Sequence, residues 1–457
     1  MRKFIFFLSI YFLASIAYVK GQNADSVAIK KFFNEALTNS VAYKNLDHLA
    51  NDIGGRLAGS PEAAKAVEWA RKAMMGAGAD TVWLQECTVP HWVRGEKEKG
   101  TIFYKNESRD VPVCALGESI ATPKYGIKAT VVEVKDFEDL KKLGKEKIQG
   151  KIVFYNHPFD QTFISTFDAY GEAVKYRWAG PSEAARYGAV ASIVRSMAQN
   201  LDDFPHTGGM GYNDSLPKIP CAAISTNGAE LLSSIIKSNP KTEFFLKQSC
   251  HMLDSVKSYN VIGEIKGSRY PEEFIVVGGH LDSWETGKGA NDDGTGVSAS
   301  IEVIRLFKAT GVKPQRTIRA VAFMNEENGL KGGEKYGEQA LQKKENHIAA
   351  IESDEGGFLP MGFGLNMPEE KIKKIQSWKN IFLPYGIYYF ERDGDGADVS
   401  PLTKAGVPGI GLHVNSQRYF DYHHAAIDTF DKVNRRELEM GAAAMAALIY
   451  LISEYGL

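Results

Sequence analysis

A short apolar segment that leads directly into ionisable residues constrains the fold of this chain more than any other feature. Residues 274–277, FIVV, are typical of a buried strand, and two glycines follow them. His280, Asp282 and Asp292 come next along a glycine-rich loop, and residues 294–311 then show apolar side chains at a helical period. Since open α/β sheets build their sites at the carboxyl ends of strands, this segment predicts an α/β fold with a site at that edge.

Length and composition describe a globular protein of enzyme size. The chain has 457 residues, a formal net charge of −2 and 44% hydrophobic residues. A chain of this length is too long for one compact core, so we expect two domains. The balanced charge gives no reason to expect nucleic acid or an anionic membrane as a partner.

The N-terminal residues 1–22 have the pattern of a targeting segment. Arg2 and Lys3 precede an apolar run over residues 4–19, which is short for a membrane span and is followed by polar sequence. This pattern predicts a cleavable secretory signal, a secreted or periplasmic protein and no stable membrane span in the mature chain. An uncleaved anchor is the alternative.

The pattern of predicted helices and strands divides the remaining chain into an α/β domain and a segment inserted into it. We assign residues 23–115 to the first part of a catalytic domain, residues 116–252 to an inserted β-rich domain, and residues 253–457 to the rest of the catalytic domain. Ser60 and Pro61 are typical of a helix start, and residues 434–456 predict an amphipathic packing helix.

The cysteines do not form a metal-binding pattern. None of the four belongs to a CxxC pair, so a thiolate zinc site is not expected. Their spacing does not reveal a disulfide pairing, and we favour free buried thiols. The residues are Cys87, Cys114, Cys221 and Cys250.

Acidic and imidazole side chains follow four strand-like segments in the second half of the chain. If those strands lie parallel and side by side, their ends meet on one rim. Two imidazoles and three carboxylates suit two zinc ions with one shared ligand, and two metals about 3.5–4 Å apart can hold a hydroxide and polarise a carbonyl. Taken singly, each of these short motifs is more often an ordinary turn. The predicted ligands are His280, Asp292, Glu327, Asp354 and His424.

Two further carboxylates are expected to act beside the metals. Glu326 is adjacent to Glu327, so it can face the attacking water and serve as general base. Asp282, two residues after His280, is expected to accept a hydrogen bond from that imidazole, and Asp428 is expected to do the same for His424.

Five motifs in fixed order carry a resemblance to a known family. GGHLDSW, GANDDGTG, MNEENGLKG, ESDEGG and HHAAIDT resemble those of the co-catalytic zinc exopeptidases of the aminopeptidase Y type, in particular the plasma glutamate carboxypeptidase, or carboxypeptidase Q, group. The similarity extends upstream into IGGRLAGSPE and PHWVRGE. It implies a three-layer zinc-exopeptidase (phosphorylase/hydrolase-like) mixed sheet flanked by helices, an inserted protease-associated-like domain and a homodimer.

The resemblance also implies a role for each site residue. It places His280 and Asp354 on one zinc, Glu327 and His424 on the other, and Asp292 between both. Glu326 matches the family's base, and the peptide bond between Asp292 and Asp293 is expected to be cis. His424 is chosen over His423 because the family has a histidine, three residues and then Asp-Thr.

The group that stabilises the tetrahedral oxyanion is left open. Several relatives have a histidine where this chain has Ala397-Asp398-Val399. Tyrosine or histidine usually supplies the donor. The neighbours that we do not rank are Tyr419, Tyr422, His423 and Arg392.

Taken together, the sequence predicts a zinc-dependent exopeptidase that removes single residues from short peptides or dipeptides. Two alternatives share the fold: a binding protein without catalysis, and a glutaminyl cyclase that uses one zinc. The sequence does not indicate which terminus of the peptide must be free or which side chains are preferred.

Overall fold

The computed structural model describes residues 24–457, and their strands form two eight-stranded sheets. The predicted signal segment, residues 1–22, lies outside the described residues. Numbered along the chain, the strands are β1 (Thr81–Val93), β2 (Lys99–Tyr104), β3 (Glu107–Val111), β4 (Val113–Ala115), β5 (Ile127–Val134), β6 (Ile152–Tyr155), β7 (Ala191–Arg195), β8 (Cys221–Ile224), β9 (Glu243–Lys247), β10 (His251–Ile265), β11 (Tyr270–His280), β12 (Arg316–Phe323), β13 (Asn346–Glu352), β14 (Pro360–Asn366), β15 (Tyr389–Glu391) and β16 (Gly409–Val414).

The helices flank or connect these strands. They are α1 (24–39), α2 (Ala42–Asp47), α3 (Pro61–Gly76), α4 (Phe137–Ile148), α5 (Thr166–Trp178), α6 (Gly180–Arg186), α7 (Thr226–Ser238), α8 (Thr295–Thr310), α9 (Lys331–Gln342), α10 (Glu369–Gln376), α11 (Lys379–Phe382), α12 (Ser400–Lys404), α13 (Tyr419–Tyr422) and α14 (Arg435–Tyr455). The predicted start of α3 is confirmed: the Ser60 hydroxyl accepts from the Ala63 N–H at 3.0 Å, and Pro61 is the first helical residue.

The first sheet has the strand order β1-β10-β12-β11-β13-β16-β14-β15. Its four central strands, β12, β11, β13 and β16, are parallel neighbours. Strand β10 is antiparallel to β1 and β12, and β14 is antiparallel to β16 but parallel to β15. Parallel neighbours end at the same edge, so the segments that follow β11, β12, β13 and β16 are brought together.

Both faces of the first sheet are covered by helices. In β11, Ile275 and Val277 belong to the core on one face and Val276 to the core on the other, and all three are fully buried. Helices α2, α3, α8 and α14 cover the first face, and α9 and α12 cover the second. The predicted three-layer mixed α/β fold is therefore confirmed.

The second sheet has the strand order β3-β2-β9-β5-β6-β7-β8-β4. It begins at Lys99, before the boundary predicted at residue 116, because β2 pairs with β9 and β4 pairs with β8. The alternation of apolar and polar residues over 81–115, with a polar break at 90–100, predicts strands around a hairpin but not the sheet to which they belong. In the structure β1 joins the first sheet and β2 the second.

Strands β5 to β8 are parallel neighbours. Helix α4 connects β5 to β6 and helices α5 and α6 connect β6 to β7, whereas the loop 196–220 connects β7 to β8. This second unit, residues 99–247, is therefore α/β instead of β-rich.

Helix α14 is the described helix that is long and apolar enough to span a membrane, by length and composition alone. The same criterion fits a buried core helix, and 83% of its most apolar window is buried inside the protein. It packs against α8 and α2, with small residues such as Ala442 and Ala446 fully buried. The prediction of a packing helix is confirmed.

All four cysteines lie within the described chain, are buried and are free, as favoured from the sequence. Burial raises the pKa of each thiol, for example that of Cys221 to about 12, so these thiols are kept protonated and unreactive.

We predict that Ala446→Leu destabilises the protein by about 1–3 kcal/mol, because extra methylene groups do not fit a close-packed core. Arg436→Leu, on an exposed position of the same helix, is the control and should change stability by less than about 0.5 kcal/mol. Denaturant unfolding of the two variants measures both values. Equal small effects would show that α14 is not packed in the core.

Candidate active site

The four parallel strands of the first sheet deliver the predicted residues to one edge. His280 is the last residue of β11, Glu326 and Glu327 follow β12, and Asp354 lies two residues after β13. His424 lies beyond β16, after α13. The predicted convergence of strand ends is therefore observed.

Asp292 lies at the centre of this cluster, with one imidazole on each of its two oxygens. Its Oδ1 is 3.1 Å from His280 Nε2, which is also 3.3 Å from Asp354 Oδ1. Its Oδ2 is 3.2 Å from His424 Nε2, which is also 3.0 Å from Glu327 Oε2. Each oxygen of Asp292 thus faces a separate group of ligand atoms.

The donor set fits divalent cations. Asp292 Oδ2 and Asp354 Oδ1 are buried and lie close to imidazole nitrogens without forming a hydrogen bond of good geometry. Within residues 24–457, no lysine or arginine forms an ion pair with Asp292, Asp354 or Glu327. Buried carboxylates need a compensating positive charge, and mixed imidazole and carboxylate ligands are those that zinc prefers. The residues present therefore suit two metal ions that share Asp292.

The electrostatics of the cluster show an excess of negative charge. Burial, reinforced by the neighbouring carboxylates, raises the pKa of Glu326 well above its usual range and that of Glu327 to about 7. Burial alone would lower the pKa of the His424 imidazole, but Glu327 and Asp292 raise it to about 10. Carboxylates that repel one another and imidazoles that attract protons both indicate a site built around cations.

The loop that carries Asp292 is fixed from both sides. Its peptide bond to Asp293 is cis, as the resemblance implies. The Asp293 carboxylate accepts from the His280 N–H at 3.0 Å and from the Gly296 N–H at 2.8 Å, which ties β11 to the start of α8. The sequence motif contains Asp293, but its spacing did not indicate this role.

The predicted hydrogen bonds of Asp282 and Asp428 to the imidazoles are wrong. His280 Nδ1 lies 3.0 Å from the backbone carbonyl of Asp282, and His424 Nδ1 lies 3.2 Å from the carbonyl of Thr207 in the second unit. A histidine followed two residues later by aspartate brings the main-chain oxygen, and not the carboxylate, within reach.

Both carboxylates instead hold the backbone of the site. Asp282 accepts from the N–H groups of Asn325 at 2.6 Å and Glu326 at 3.1 Å. Asp428 accepts from the N–H groups of Asn291 at 2.9 Å and Asp292 at 3.1 Å. Asp282 therefore positions the turn of the predicted base, and Asp428 positions the shared carboxylate.

Two non-glycine residues of the site adopt left-handed backbone conformations. Asn325 has φ 74° and His424 has φ 60°. Such conformations are uncommon for residues other than glycine, although asparagine and histidine adopt them more often than most, and they persist where the surrounding contacts hold them. They turn Glu326 and the His424 ring towards the cluster.

The geometry favours His424 over His423 as the ligand. The two rings are stacked with their centroids 3.5 Å apart. His423 Nε2 is 3.9 Å from Asp292 Oδ2, whereas His424 Nε2 is 3.2 Å from the same oxygen and is the one that also contacts Glu327.

The oxyanion candidates separate by location. Tyr419 and His423 line the cavity over the cluster, whereas Arg392 pairs with Glu369 at the surface. Asp398, in the segment where relatives have histidine, is buried beside Glu352, whose carboxylate accepts from the Asp398 N–H at 3.3 Å.

Arg56 is a residue whose importance the sequence did not reveal. Within IGGRLAGSPE the local sequence predicts only the helix start at Ser60 and Pro61, yet Arg56 is fully buried. Its guanidinium donates to the carbonyls of Leu281 at 2.6 Å, Lys288 at 3.0 Å and Gly289 at 3.0 Å. Burial lowers its pKa to about 10. A lone arginine among glycine, leucine and alanine was the available signal.

A cavity of about 460 Å³ opens above the cluster, a size that suits a small molecule or a short peptide. The unit that contains the first sheet lines this cavity with Leu330, Tyr419 and Phe420. The second unit lines it with Glu118, Arg177 and Trp178. The site is therefore built at the junction of the two sheets.

Comparisons with known proteins agree with this geometry. Residues 260–449 match the model of peptidase family M28. Carboxypeptidase Q of Bos taurus is 34% identical over 434 residues, which cover 95% of this chain and 89% of that protein. The crystal structure of a peptidase M28 precursor from Shewanella amazonensis has a TM-score of 0.90 at 32% identity and covers 94% of this chain and 97% of that chain. A zinc aminopeptidase from Bacillus subtilis shares the fold, with a TM-score of 0.64 at 20% identity, covering 91% of this chain and 96% of that chain.

We predict that Arg56→Met lowers the free energy of unfolding by about 2–5 kcal/mol, because four carbonyls, three of them in buried contacts, lose their donor. Arg56→Lys should recover only part of this stability, since one ammonium group cannot reproduce the planar array of N–H donors of the guanidinium. Thermal denaturation measures both. Arg71→Met, at a half-exposed position on α3, is the control, and an Arg56→Met protein as stable as this control would contradict the assignment.

Proposed function

Because the chain belongs to peptidase family M28, we propose that it binds two zinc ions at the strand-end cluster and hydrolyses terminal peptide bonds of short peptides or dipeptides. Its membership rests on similarity to carboxypeptidase Q over nearly the whole length of both proteins. The protein is a metallo-exopeptidase. The metal count, the mechanism and the substrates are the proposal.

The observation that carries the proposal is the placement of Asp292 between two separate ligand groups. We assign His280 and Asp354 to one metal and Glu327 and His424 to the other, with one oxygen of Asp292 facing each. Zinc bound there would activate water at neutral pH and polarise the carbonyl of the scissile bond.

Glu326 is the group that we assign as general base. Its backbone is held by Asp282, and its half-buried side chain lines the cavity beside Asp292 and Asp354. In this role it accepts a proton from the attacking water and returns it to the leaving nitrogen. A carboxylate with a raised pKa holds such a proton between the two steps.

The second unit gives the site its enclosure. We propose that it acts as the protease-associated-like domain implied by the resemblance, because its residues form one wall of the cavity and its Thr207 carbonyl orients His424. An enclosed cavity favours chain ends over the middle of a long peptide, which suits exopeptidase activity. We also propose that residues 1–22 direct export.

The site does not support the two alternative functions, a binding protein without catalysis and a glutaminyl cyclase with one zinc. A binding protein without catalysis would not need the complete set of two imidazoles, three carboxylates and a base. A cyclase with one zinc would not need a second ligand group at Asp292. The geometry therefore favours hydrolysis with two metals.

We predict that Glu326→Gln keeps both zinc ions and lowers kcat at least about 100-fold, because the amide cannot take the proton. Metal analysis by mass spectrometry and dipeptide hydrolysis measure the two properties on one preparation. Glu334→Gln, on the exposed face of α9, is the control and should keep full activity. Full activity of Glu326→Gln would exclude it as the base.

Asp292→Ala is expected to remove both zinc ions together, since both ligand groups lose their common carboxylate. Asp354→Ala removes a ligand from one group and should weaken one zinc more than the other. Zinc titration with a competing chelator measures the affinities. Loss of a single zinc from Asp292→Ala would show that this carboxylate is not shared.

A further inference from the structure

We propose that Arg177 binds a carboxylate of the peptide substrate, and that this contact selects peptides with a free acidic terminus or an acidic side chain beside the scissile bond. The inference rests on the proposed peptidase function. It concerns a question that the sequence left open, namely which end of the peptide must be free.

Arg177 is a buried cation that faces the cavity. It lies near the end of α5 in the second unit, is 7% exposed and lines the same cavity as Glu326 and Asp354. A buried guanidinium is costly unless a negative charge or a full set of acceptors compensates it.

The protein supplies only part of that compensation. Arg177 Nη2 donates to the Tyr170 hydroxyl at 2.6 Å, and Nη1 lies 3.5 Å from the Thr207 carbonyl and 4.0 Å from the Met197 sulfur. Its buried Nε has no hydrogen-bond partner. Among the described residues, no carboxylate lies within ion-pair distance of this guanidinium.

Other buried arginines of the described chain are paired. Arg94 contacts Glu98 and Glu285, and Arg319 contacts Glu264 and Glu345. Arg56 has no carboxylate partner but donates to several carbonyls. Arg195 pairs with Glu230, although its Nε also has no hydrogen-bond partner. Arg177 therefore differs from these arginines in having neither a carboxylate partner nor several carbonyl acceptors.

The position of Arg177 places a bound carboxylate close to the reacting bond. Gly208 lies between Arg177 and the metal ligand His424, and a Cβ atom at Gly208 would clash with both the Arg177 Nη1 and the His424 Nδ1. The Thr207 carbonyl is shared by the same two side chains. A carboxylate held by Arg177 thus belongs to a residue next to the scissile bond, and a planar guanidinium is suited to bind it with two hydrogen bonds.

The competing explanation is that Arg177 only supports the 206–211 loop. That role acts through Thr207 and would affect every peptide equally, whether or not it carries a carboxylate. Comparing a peptide acid with its amide separates the two roles.

The test is calorimetric binding of Ala-Leu and Ala-Leu-amide to zinc-loaded Glu326→Gln protein, which binds without turnover. We expect the acid to bind at least tenfold more tightly than the amide. Adding Arg177→Met should weaken the binding of Ala-Leu at least tenfold and leave the affinity for Ala-Leu-amide unchanged. Arg177→Lys should give an intermediate affinity for Ala-Leu. Lys175→Met, an exposed cation on the same helix, is the control and should change neither.

A further ligand identifies which carboxylate of the peptide Arg177 binds, and further assays show which of the two proposals a negative result contradicts. Ala-Glu-amide tests the side chain as the source: tight, Arg177-dependent binding of this peptide assigns the side-chain carboxylate, and weak binding assigns the α-carboxylate. Equal weakening of Ala-Leu and Ala-Leu-amide binding by Arg177→Met would overturn the proposal. So would an Arg177→Met variant that binds both Ala-Leu and Ala-Glu-amide as tightly as the parent protein. Retained hydrolysis or lost zinc in Glu326→Gln alone would count against the proposed function and not against Arg177. With the active enzyme, Arg177→Met should raise KM for Ala-Leu at least tenfold and change kcat little.

Discussion

The site depends on one buried carboxylate, Asp292, which faces an imidazole with each of its oxygens. Carboxylates packed this closely repel one another, and the imidazoles beside them take up protons, unless metal cations lie between them. The surrounding contacts hold that arrangement in place: Asp293 ties the loop to β11, and Asp428 holds its backbone N–H groups. The fold thus supplies the rigidity that a metal site needs, and the metals would supply the charge balance that the fold lacks.

The unit that contains the second sheet adds a wall and an imidazole contact to the site at the strand ends of the first sheet. Its Thr207 carbonyl orients His424, and Arg94 joins the two units through Glu285 and the Ala115 carbonyl. Residues from both units line the cavity, so substrate selection and metal binding are physically linked there. An arginine from the second unit, Arg177, is the group best placed to distinguish one end of a peptide from the other.

Much of the site could be predicted from the sequence because its signals are local. His280, Asp354 and Glu327 lie at or just after the ends of apolar strands, and parallel strands bring such positions together, so they needed no knowledge of distant contacts. The partners of the imidazoles could not be predicted, since Thr207 and His424 are 217 residues apart. Arg56 and Arg177 were missed for the same reason: a buried cation is recognised by its distant partners, and periodicity does not encode them. The alternation over residues 81–115 predicts strands, but it does not show that β1 joins one sheet and β2 the other.

The most direct test of the central claim is anomalous diffraction at the zinc edge from crystals of the zinc-loaded protein. The account predicts two peaks of similar height about 3.5–4 Å apart, each about 2.0–2.2 Å from a different oxygen of Asp292. His280 and Asp354 should contact one peak, and Glu327 and His424 the other. A single peak in fully loaded crystals, or two peaks of which only one contacts Asp292, would contradict the account.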